Sequence, residues 1–257
     1  QEQRCIYSRN QLGEVICQLR FPEILAIASE PPVKFQEAIR EDYPGFLRRQ
    51  DTPPPKVAGT PGSFTLENPE KITNYQFSTM DGVWRVNLTS TFISLTCTRY
   101  TNWEEFAAKL DKPLSAFIKI YKPGYFQRVG LRYLNFISRK SLSLEDVPFR
   151  DLFQNMYLGP LADEEVPETT ALRCGVDAEL SIRGGCKVKL HAGPGMIMRN
   201  TPQGTQKDTE VRFIFDQDLY MSYLLHLRLH HLQYQQVFQA QLLPEHLQDD
   251  KHLLQIL

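Results

Sequence analysis

Long apolar runs and catalytic motifs are both missing from this sequence. No run approaches the roughly 18 apolar residues that a membrane-spanning helix needs, so no membrane association is expected. The motifs G-x-S-x-G, G-x-x-x-x-G-K-[ST], G-x-G-x-x-G and H-E-x-x-H are absent, which lowers the expectation of an enzyme without removing it. No cofactor is predicted.

The sequence has few cysteines, and their spacing does not indicate disulfide bonds. The five cysteines cannot all form disulfides, and no two of them make a C-x-x-C motif; they are Cys5, Cys17, Cys97, Cys174 and Cys186. Two of them lie inside apolar, strand-like runs, which indicates buried free thiols in a reducing compartment. The first ten residues carry no hydrophobic targeting core, so a cytoplasmic location is expected.

Charge of one sign does not dominate the chain, but it is unevenly distributed. Residues 1–140 contain 19 Lys and Arg against 14 Asp and Glu, a net +5, whereas residues 141–257 contain 10 against 16, a net −6. This is not the composition of a strongly basic nucleic-acid-binding protein. The first half could present a positive face, or the charges could simply be scattered over solvated surface.

The patterns that are present predict an α+β protein built from two copies of one plan. In residues 1–124 they predict a strand, a short helix, a three-strand meander and a long amphipathic helix, at 14–21, 33–43, 74–80, 83–89, 92–98 and 101–122. Asp81-Gly82 predicts a type I′ turn, and Thr101 with Glu104 predicts a capping box. A Pro-rich insertion at 50–70 is predicted to lack regular structure.

The same order of elements recurs in residues 125–257. The predicted elements lie at 127–137, 148–156, 170–182, 186–196, 209–215 and 219–242. Each copy is therefore a β-α-β-β-β-α unit, and together they predict a mostly antiparallel sheet with long helices packed on one face. The last helix also offers a homodimer interface through Leu224, Leu227, His231 and Phe238.

Several segments resemble a sporadically distributed bacterial family of proteins of about this length. The resemblance rests on EVICQLRF, FISLTCTRYTNWEEF, RVGLRYLNFI and FIFDQDLY, and its most specific piece is Arg128–Tyr133 followed by Asn135. That family has no assigned activity, so the resemblance implies a prokaryotic cytoplasmic setting and a fold but no catalytic residues. The repeated plan separately resembles the tandem helix-grip topology of TATA-binding-protein-like folds.

Two groups of residues have the spacing of a metal site or an acid/base pair. His226 and His230 are four apart on the predicted last helix, with Asp216 and Asp218 upstream, but a helix face at an interface explains them more simply. Asp177 and Glu179 share a strand face and could act as acid and base. Lys187, Lys189, His191 and Arg212 alternate in the same way on the following strands, which favours a solvated face of opposite charges instead. No metal site is predicted.

Arginines in the strand that opens the second copy form the remaining candidate site. Arg128 and Arg132 flank Gly130 on one strand face, roughly 13 Å apart and thus about two phosphate spacings, and Arg85 joins that face. Pairing of both arginines with acidic residues where the copies meet is an equally good interpretation.

These patterns predict a binding or regulatory protein that engages a macromolecule through a polar sheet face. A protein partner is favoured over nucleic acid because the second half is acidic. The alternatives are a hydrolytic or nucleotide-acting enzyme with a site between the copies, and a nucleic-acid-binding protein. The two halves are expected to contribute faces of opposite charge.

Overall fold

Nine of the thirteen described strands belong to one antiparallel sheet. The computed structural model describes residues 10–52, 56–60, 63–67, 71–182, 185–201, 204–222 and 225–226. Within these residues every neighbouring pair of strands in this sheet is antiparallel. The fold class is therefore α+β with a large antiparallel sheet, as the sequence predicts.

In chain order the strands are β1 (Leu12–Arg20), β2 (Gly45–Asp51), β3 (Lys56–Thr60), β4 (Ser63–Glu67), β5 (Ile72–Ser78), β6 (Trp84–Leu88), β7 (Phe92–Cys97), β8 (Tyr125–Phe126), β9 (Arg128–Ile137), β10 (Val176–Ser181), β11 (Lys187–Thr201), β12 (Gly204–Met221) and β13 (Leu225–His226). The large sheet has the strand order β10-β11-β12-β9-β1-β7-β6-β5-β2, and β3 with β4 and β8 with β13 form two small separate pairs. The helices are α1 (Leu25–Ser29), α2 (Val33–Ile39), α3 (Trp103–Tyr121), α4 (Arg139–Leu142) and α5 (Phe149–Leu152), with 3₁₀ turns at Asn155–Tyr157, Gly159–Ala162 and Glu168–Thr170.

Strict alternation in the central strand directs its apolar side chains to one face of the sheet. Val15, Cys17 and Leu19 of β1 are fully buried, whereas the residues between them are only half-buried. α3 packs its apolar stripe on this face, and Phe117 of α3 lies 4.7 Å from Phe21, measured between ring centroids. The first core is thus a helix laid on a half-apolar sheet.

Capping by Asn102 fixes the start of α3. The Asn102 side chain accepts a hydrogen bond from the backbone N–H of Glu105, and the helix then runs through Pro113 to a left-handed residue at Lys122. The expected capping box of Thr101 and Glu104 is therefore displaced by one residue. Asn is as good an N-cap as Thr, and Glu105 bonds to the Thr101 hydroxyl.

The second half of the sheet is covered by short pieces instead of a long described helix. Phe149 and Phe153, at the start of α5 and just after its end, pack on Phe213 of β12, and the rings of Phe153 and Phe213 stack at 3.9 Å. The 3₁₀ turns that follow bury Tyr157 and Leu161 in the same cluster. Among the described residues, α3 is therefore the only long helix packed on the sheet.

Cysteines in the described residues are free thiols. Cys17, Cys97 and Cys186 are buried and Cys174 is partly exposed. Burial raises the pKa of the Cys17 thiol well above its ordinary value, because the thiolate would lose its hydration. The prediction of buried free thiols is confirmed for three of these four.

Three local predictions were wrong. The Pro-rich insertion is not free of regular structure, since β2 continues to Asp51 and β3 pairs with β4. The Asp81-Gly82 turn is not type I′, because only Gly82 has positive φ, and the Asp81 carboxylate accepts a bond from the Val83 N–H.

The third error concerns the end of the chain. β12 extends through Met221, and His226 lies in a strand, so no helix starts at 219. Residues 227–257, with most of the predicted dimer interface, lie outside the described residues, as does Leu224. Where helices are described, none is long and apolar enough to cross a membrane.

Truncation of Phe117 should test the first core. Phe117→Ala removes a ring that is fully buried between Phe21 and Phe126, so we expect a loss of about 3–5 kcal/mol in the free energy of unfolding, measured by urea denaturation. Met80→Ala is the control, because Met80 is 89% exposed and should change stability by less than about 0.5 kcal/mol. Equal effects of the two changes would contradict the described packing.

Candidate functional site

Charged side chains form four parallel rows on the sheet face opposite the core. Each row belongs to one strand, and the rows alternate in sign: Arg128 and Arg132 on β9, Asp216 and Asp218 on β12, Lys187, Lys189 and His191 on β11, and Asp177 and Glu179 on β10. The strand register sets them directly opposite one another. One line across the sheet reads Arg132, Asp218, Lys189, Glu179. We call these four sets the charged rows.

The innermost rows are joined by short ion pairs. Arg132 donates two hydrogen bonds to the Asp216 carboxylate, at 2.7 Å from Nε and 2.5 Å from Nη2. Arg128 Nη2 donates to Asp218 Oδ2 at 2.6 Å. Both carboxylates are largely buried, with 16% and 25% of the side chain exposed, so these contacts are stronger than typical surface pairs. The arginines are thus paired with acidic residues where the two halves meet, as the alternative interpretation of them held.

Glycine at position 130 makes room for the Arg128 side chain. A Cβ atom at Gly130 would lie 2.6 Å from Arg128 Nη1 and 3.2 Å from Asp218 Oδ1. The Arg128 guanidinium occupies this space, and its Cζ lies 4.4 Å from the centroid of the Tyr220 ring. Tyr220 is the residue of β12 directly opposite Gly130. Arg128 is therefore held by a carboxylate and an aromatic face together.

The two outer rows, on β11 and β10, are more exposed. Tyr220 of β12 reaches across β11 to the outermost row. The Tyr220 hydroxyl donates a hydrogen bond to the Glu179 carboxylate, and Lys189 Nζ lies 3.9 Å from Glu179 Oε2. The bond from Tyr220 is the main reason why the pKa of Glu179 is lowered, and the same bond raises the pKa of Tyr220. His191 Nδ1 lies 2.8 Å from Asp177 Oδ1, and 80% of the Asp177 side chain is exposed.

A shallow depression of about 420 Å³ lies over the charged rows. Its charged and imidazole lining comes from seven residues: Arg132, Asp177, Glu179, Lys189, His191, Asp216 and Asp218. None of the residues lining it is a Ser, Thr or Cys that could act as a nucleophile. Among the described residues no group of three or more His, Cys, Asp or Glu has the geometry to hold a metal ion.

The structure brings most of the predicted site residues together. Arg132, Asp177, Glu179, Lys189 and His191 line the depression, Arg128 adjoins it through Asp218, and Lys187 lies opposite Tyr220 and Ser181.

Two predicted residues lie elsewhere. Arg85 donates to Glu14 at 2.6 Å on the first half of the sheet. Arg212 is held by Asp208 and Glu210 beyond the depression. Arg85 thus reaches across β7 to an acidic residue of β1, and Arg212 pairs with acidic residues of its own strand.

The second half does not present a face of one sign. Its charged rows hold four cationic and four acidic side chains in addition to His191. The expectation of oppositely charged faces from the two halves is therefore wrong, because the net charge of a segment does not say which residues share a sheet face.

Sequence reasoning missed the acidic row of β12 as part of this site. The sequence pattern indicated a role for Asp216 and Asp218 only as possible metal ligands, upstream of the predicted last helix. The signal was present: Arg212, Asp216, Asp218 and Tyr220 keep the same period-two phase, so extending the strand past Phe215 would have placed them beside Arg128 and Arg132.

Replacement of Tyr220 should raise the pKa of Glu179. In Tyr220→Phe the main hydrogen bond to this carboxylate is lost, so its pKa should rise toward the ordinary value for Glu, as measured by NMR titration of the carboxyl carbon. A lowered folded-state pKa stabilises the protein above the unfolded pKa, and this stabilisation is lost as pH falls through the folded value. The variant should accordingly lose less stability than the wild type between neutral pH and about pH 3.

Lys189→Met is the matched comparison, because Lys189 contributes less to the lowered pKa of Glu179 than Tyr220 does. A larger rise in Lys189→Met than in Tyr220→Phe would contradict the described hydrogen bond.

Comparison with known proteins leaves the function to be argued from these contacts. No protein-family model matches the chain, and no curated protein matches it either.

Proposed function

We propose that this chain is a binding or regulatory protein that engages a protein partner through the charged rows. The observation that carries the proposal is that the rows combine fixed inner ion pairs with exposed outer charges. The exposed side-chain fraction rises from 16% at Asp216 to 58% at Lys189 and 80% at Asp177. A pattern of alternating charge held in register is a means of selecting a complementary surface.

Nucleic acid is less well supported as the partner. A phosphate group that approached Arg128 or Arg132 would compete with carboxylates already bound at 2.5–2.7 Å. It would also meet the like charges of Asp177 and Glu179 at the outer edge. Binding that depends on neutralising phosphates is therefore opposed by the acidic rows.

An enzymatic site at the same place is also less well supported. The pair of His191 and Asp177 has the distance of a base and its orienting carboxylate, but the residues lining the depression include no Ser, Thr or Cys nucleophile. The side chains of His191 and Asp177 are also 45% and 80% exposed, so water would screen their interaction.

The two-copy plan is part of the proposal. The strand order β1-β7-β6-β5 in the first half corresponds to β9-β12-β11-β10 in the second, with the opening strand of each half next to its own last meander strand. This correspondence supports a duplicated unit; the long helix predicted for the second copy at 219–242 falls mostly outside the described residues. The charged rows then belong to the second copy, and polar residues such as Gln18 and Asn87 to the equivalent face of the first.

An exchange of charges should test the proposed surface. Glu179→Lys combined with Lys189→Glu inverts one charge in each of the two outer rows and leaves the net charge unchanged. Compared with the wild type as bait in nuclease-treated lysate of the native host, this double variant should retain less than about one tenth of the specifically captured protein, since like-charge contacts cost several kcal/mol.

The matched control exchanges an ion pair away from the charged rows. Asp42→Lys with Lys112→Glu inverts a pair at 2.5 Å between the α2 and α3 regions and should leave capture unchanged. Equal capture by both double variants would rule out the charged rows as the binding surface. Capture that disappears on nuclease treatment, together with polynucleotide binding at low salt, would favour nucleic acid instead.

A further inference from the structure

The outer edge of β10 is protected only by acidic side chains. β10 is the last strand in the sheet order, and among the described residues no strand pairs with its outer side. Edges are commonly blunted by charged side chains, especially Lys, by Pro or by a bulge; Val176–Ser181 has no Lys, Pro or register shift, and its charged side chains, Asp177 and Glu179, are both acidic. The opposite edge differs, since β2 carries Arg48 and Arg49.

Hydrogen bonding at the adjacent turn shows which backbone groups of β10 face outward. The Ile182 N–H donates to the Cys186 carbonyl at 2.8 Å, across a pair that continues the β10–β11 register. In an antiparallel pair, hydrogen-bonded residues alternate with residues whose N–H and C=O point away. The outward-pointing groups therefore belong to Asp177, Glu179 and Ser181.

The charged rows indicate what would pair with these groups. From β9 to β10 the sign of the rows runs positive, negative, positive, negative, so the acidic row of β10 has a cationic neighbour on one side only. A strand added at the outer edge would place alternate side chains directly opposite Asp177 and Glu179. On its other face it would cover Ala178 and Leu180, and Leu180 is 48% exposed.

We propose that β10 receives an extended segment of a partner protein in which basic and apolar residues alternate. The basic side chains form a fifth row beside Asp177 and Glu179, the apolar ones cover Leu180, and the backbone completes the sheet. This inference rests on the proposed function and names the chemistry of the partner. A second copy of β10 is disfavoured, since antiparallel pairing would set Asp177 and Glu179 opposite acidic residues or Ser181.

Amide hydrogen exchange of the full chain, followed by NMR, tests the edge directly. The probe is a short acetylated and amidated peptide in which Lys and Val alternate. Without peptide, the amides of Asp177, Glu179 and Ser181 should exchange faster than those of Ala178 and Leu180. With saturating peptide their exchange should slow by about tenfold or more. A peptide of the same composition with its Lys residues grouped at one end should have little effect, and one alternating Glu and Val should have none.

Two variants separate edge pairing from mere charge attraction. Ser181→Pro removes an outward N–H that the β10–β11 ladder does not use, so the ladder should persist while peptide binding weakens at least about tenfold; Ser181→Ala is its control. Glu179→Lys with Lys189→Glu should reduce binding of the Lys-Val peptide and favour the Glu-Val peptide. This second variant also keeps the test valid if Ser181→Pro does not fold.

Several results would overturn the inference. Slow exchange of the three outward amides without peptide would mean that part of this chain already covers the edge. Equal protection by the alternating and grouped peptides would mean non-specific attraction. Lysate capture that is lost in the charge exchange but unchanged in Ser181→Pro would overturn edge pairing and leave the proposed function standing. If the charge-exchanged variant captured as much lysate protein as the wild type, the proposed function itself would be contradicted.

Discussion

Pairing of β1 with β9 is the contact on which the rest of the structure depends. β1 pairs with β7 on one side and with β9 on the other, and this second ladder joins the two halves into one sheet. It also fixes which side of β9 faces the core, since Cys17 opposes Leu131 while Gln18 opposes Gly130. Loss of this register by one residue would turn Arg128 and Arg132 toward the core.

A β-bulge in β1 interrupts the β1–β9 ladder near its end. The register shifts between Leu12 and Glu14, and a Cβ atom at Gly13 would lie 2.3 Å from the Phe136 ring. The ring thus occupies space that a larger residue would fill. Beyond this point the backbone still meets the end of β9, because the Phe136 N–H donates to the Gln11 carbonyl.

The sequence predicted those elements whose signal is local and strong. The alternation of Val15, Cys17 and Leu19 and the helical spacing up to Phe117 each reflect burial of one face, which a single segment reveals by itself. The choice between helix and strand after Phe215 was not local. Phe215 and Leu219 are four residues apart and share a face in either structure, and pairing of Leu219 and Met221 with Leu131 and Val129 of β9 determines the outcome.

The candidate site was predicted in part for the same reason. Alternation showed that Asp177, Lys189 and Arg132 lie on polar strand faces, but it did not show which strands are neighbours. The rows of opposite sign follow from the strand order β10-β11-β12-β9, which depends on contacts between distant parts of the chain. Glu14 as the partner of Arg85 was likewise beyond reach, since nothing near either residue specifies it.

The central position of β1 has a consequence for synthesis of the protein. β1 is synthesised before both of the strands with which it pairs, and one of them, β9, is made only after the rest of the first half. Until then the edge of β1 and its apolar row of Val15, Cys17 and Leu19 have no complete sheet to enter. Because these contacts join distant parts of the chain, the sheet should form slowly and only after β9 has been synthesised. Before that, the exposed edge and apolar face of β1 should make the partly synthesised chain prone to aggregation.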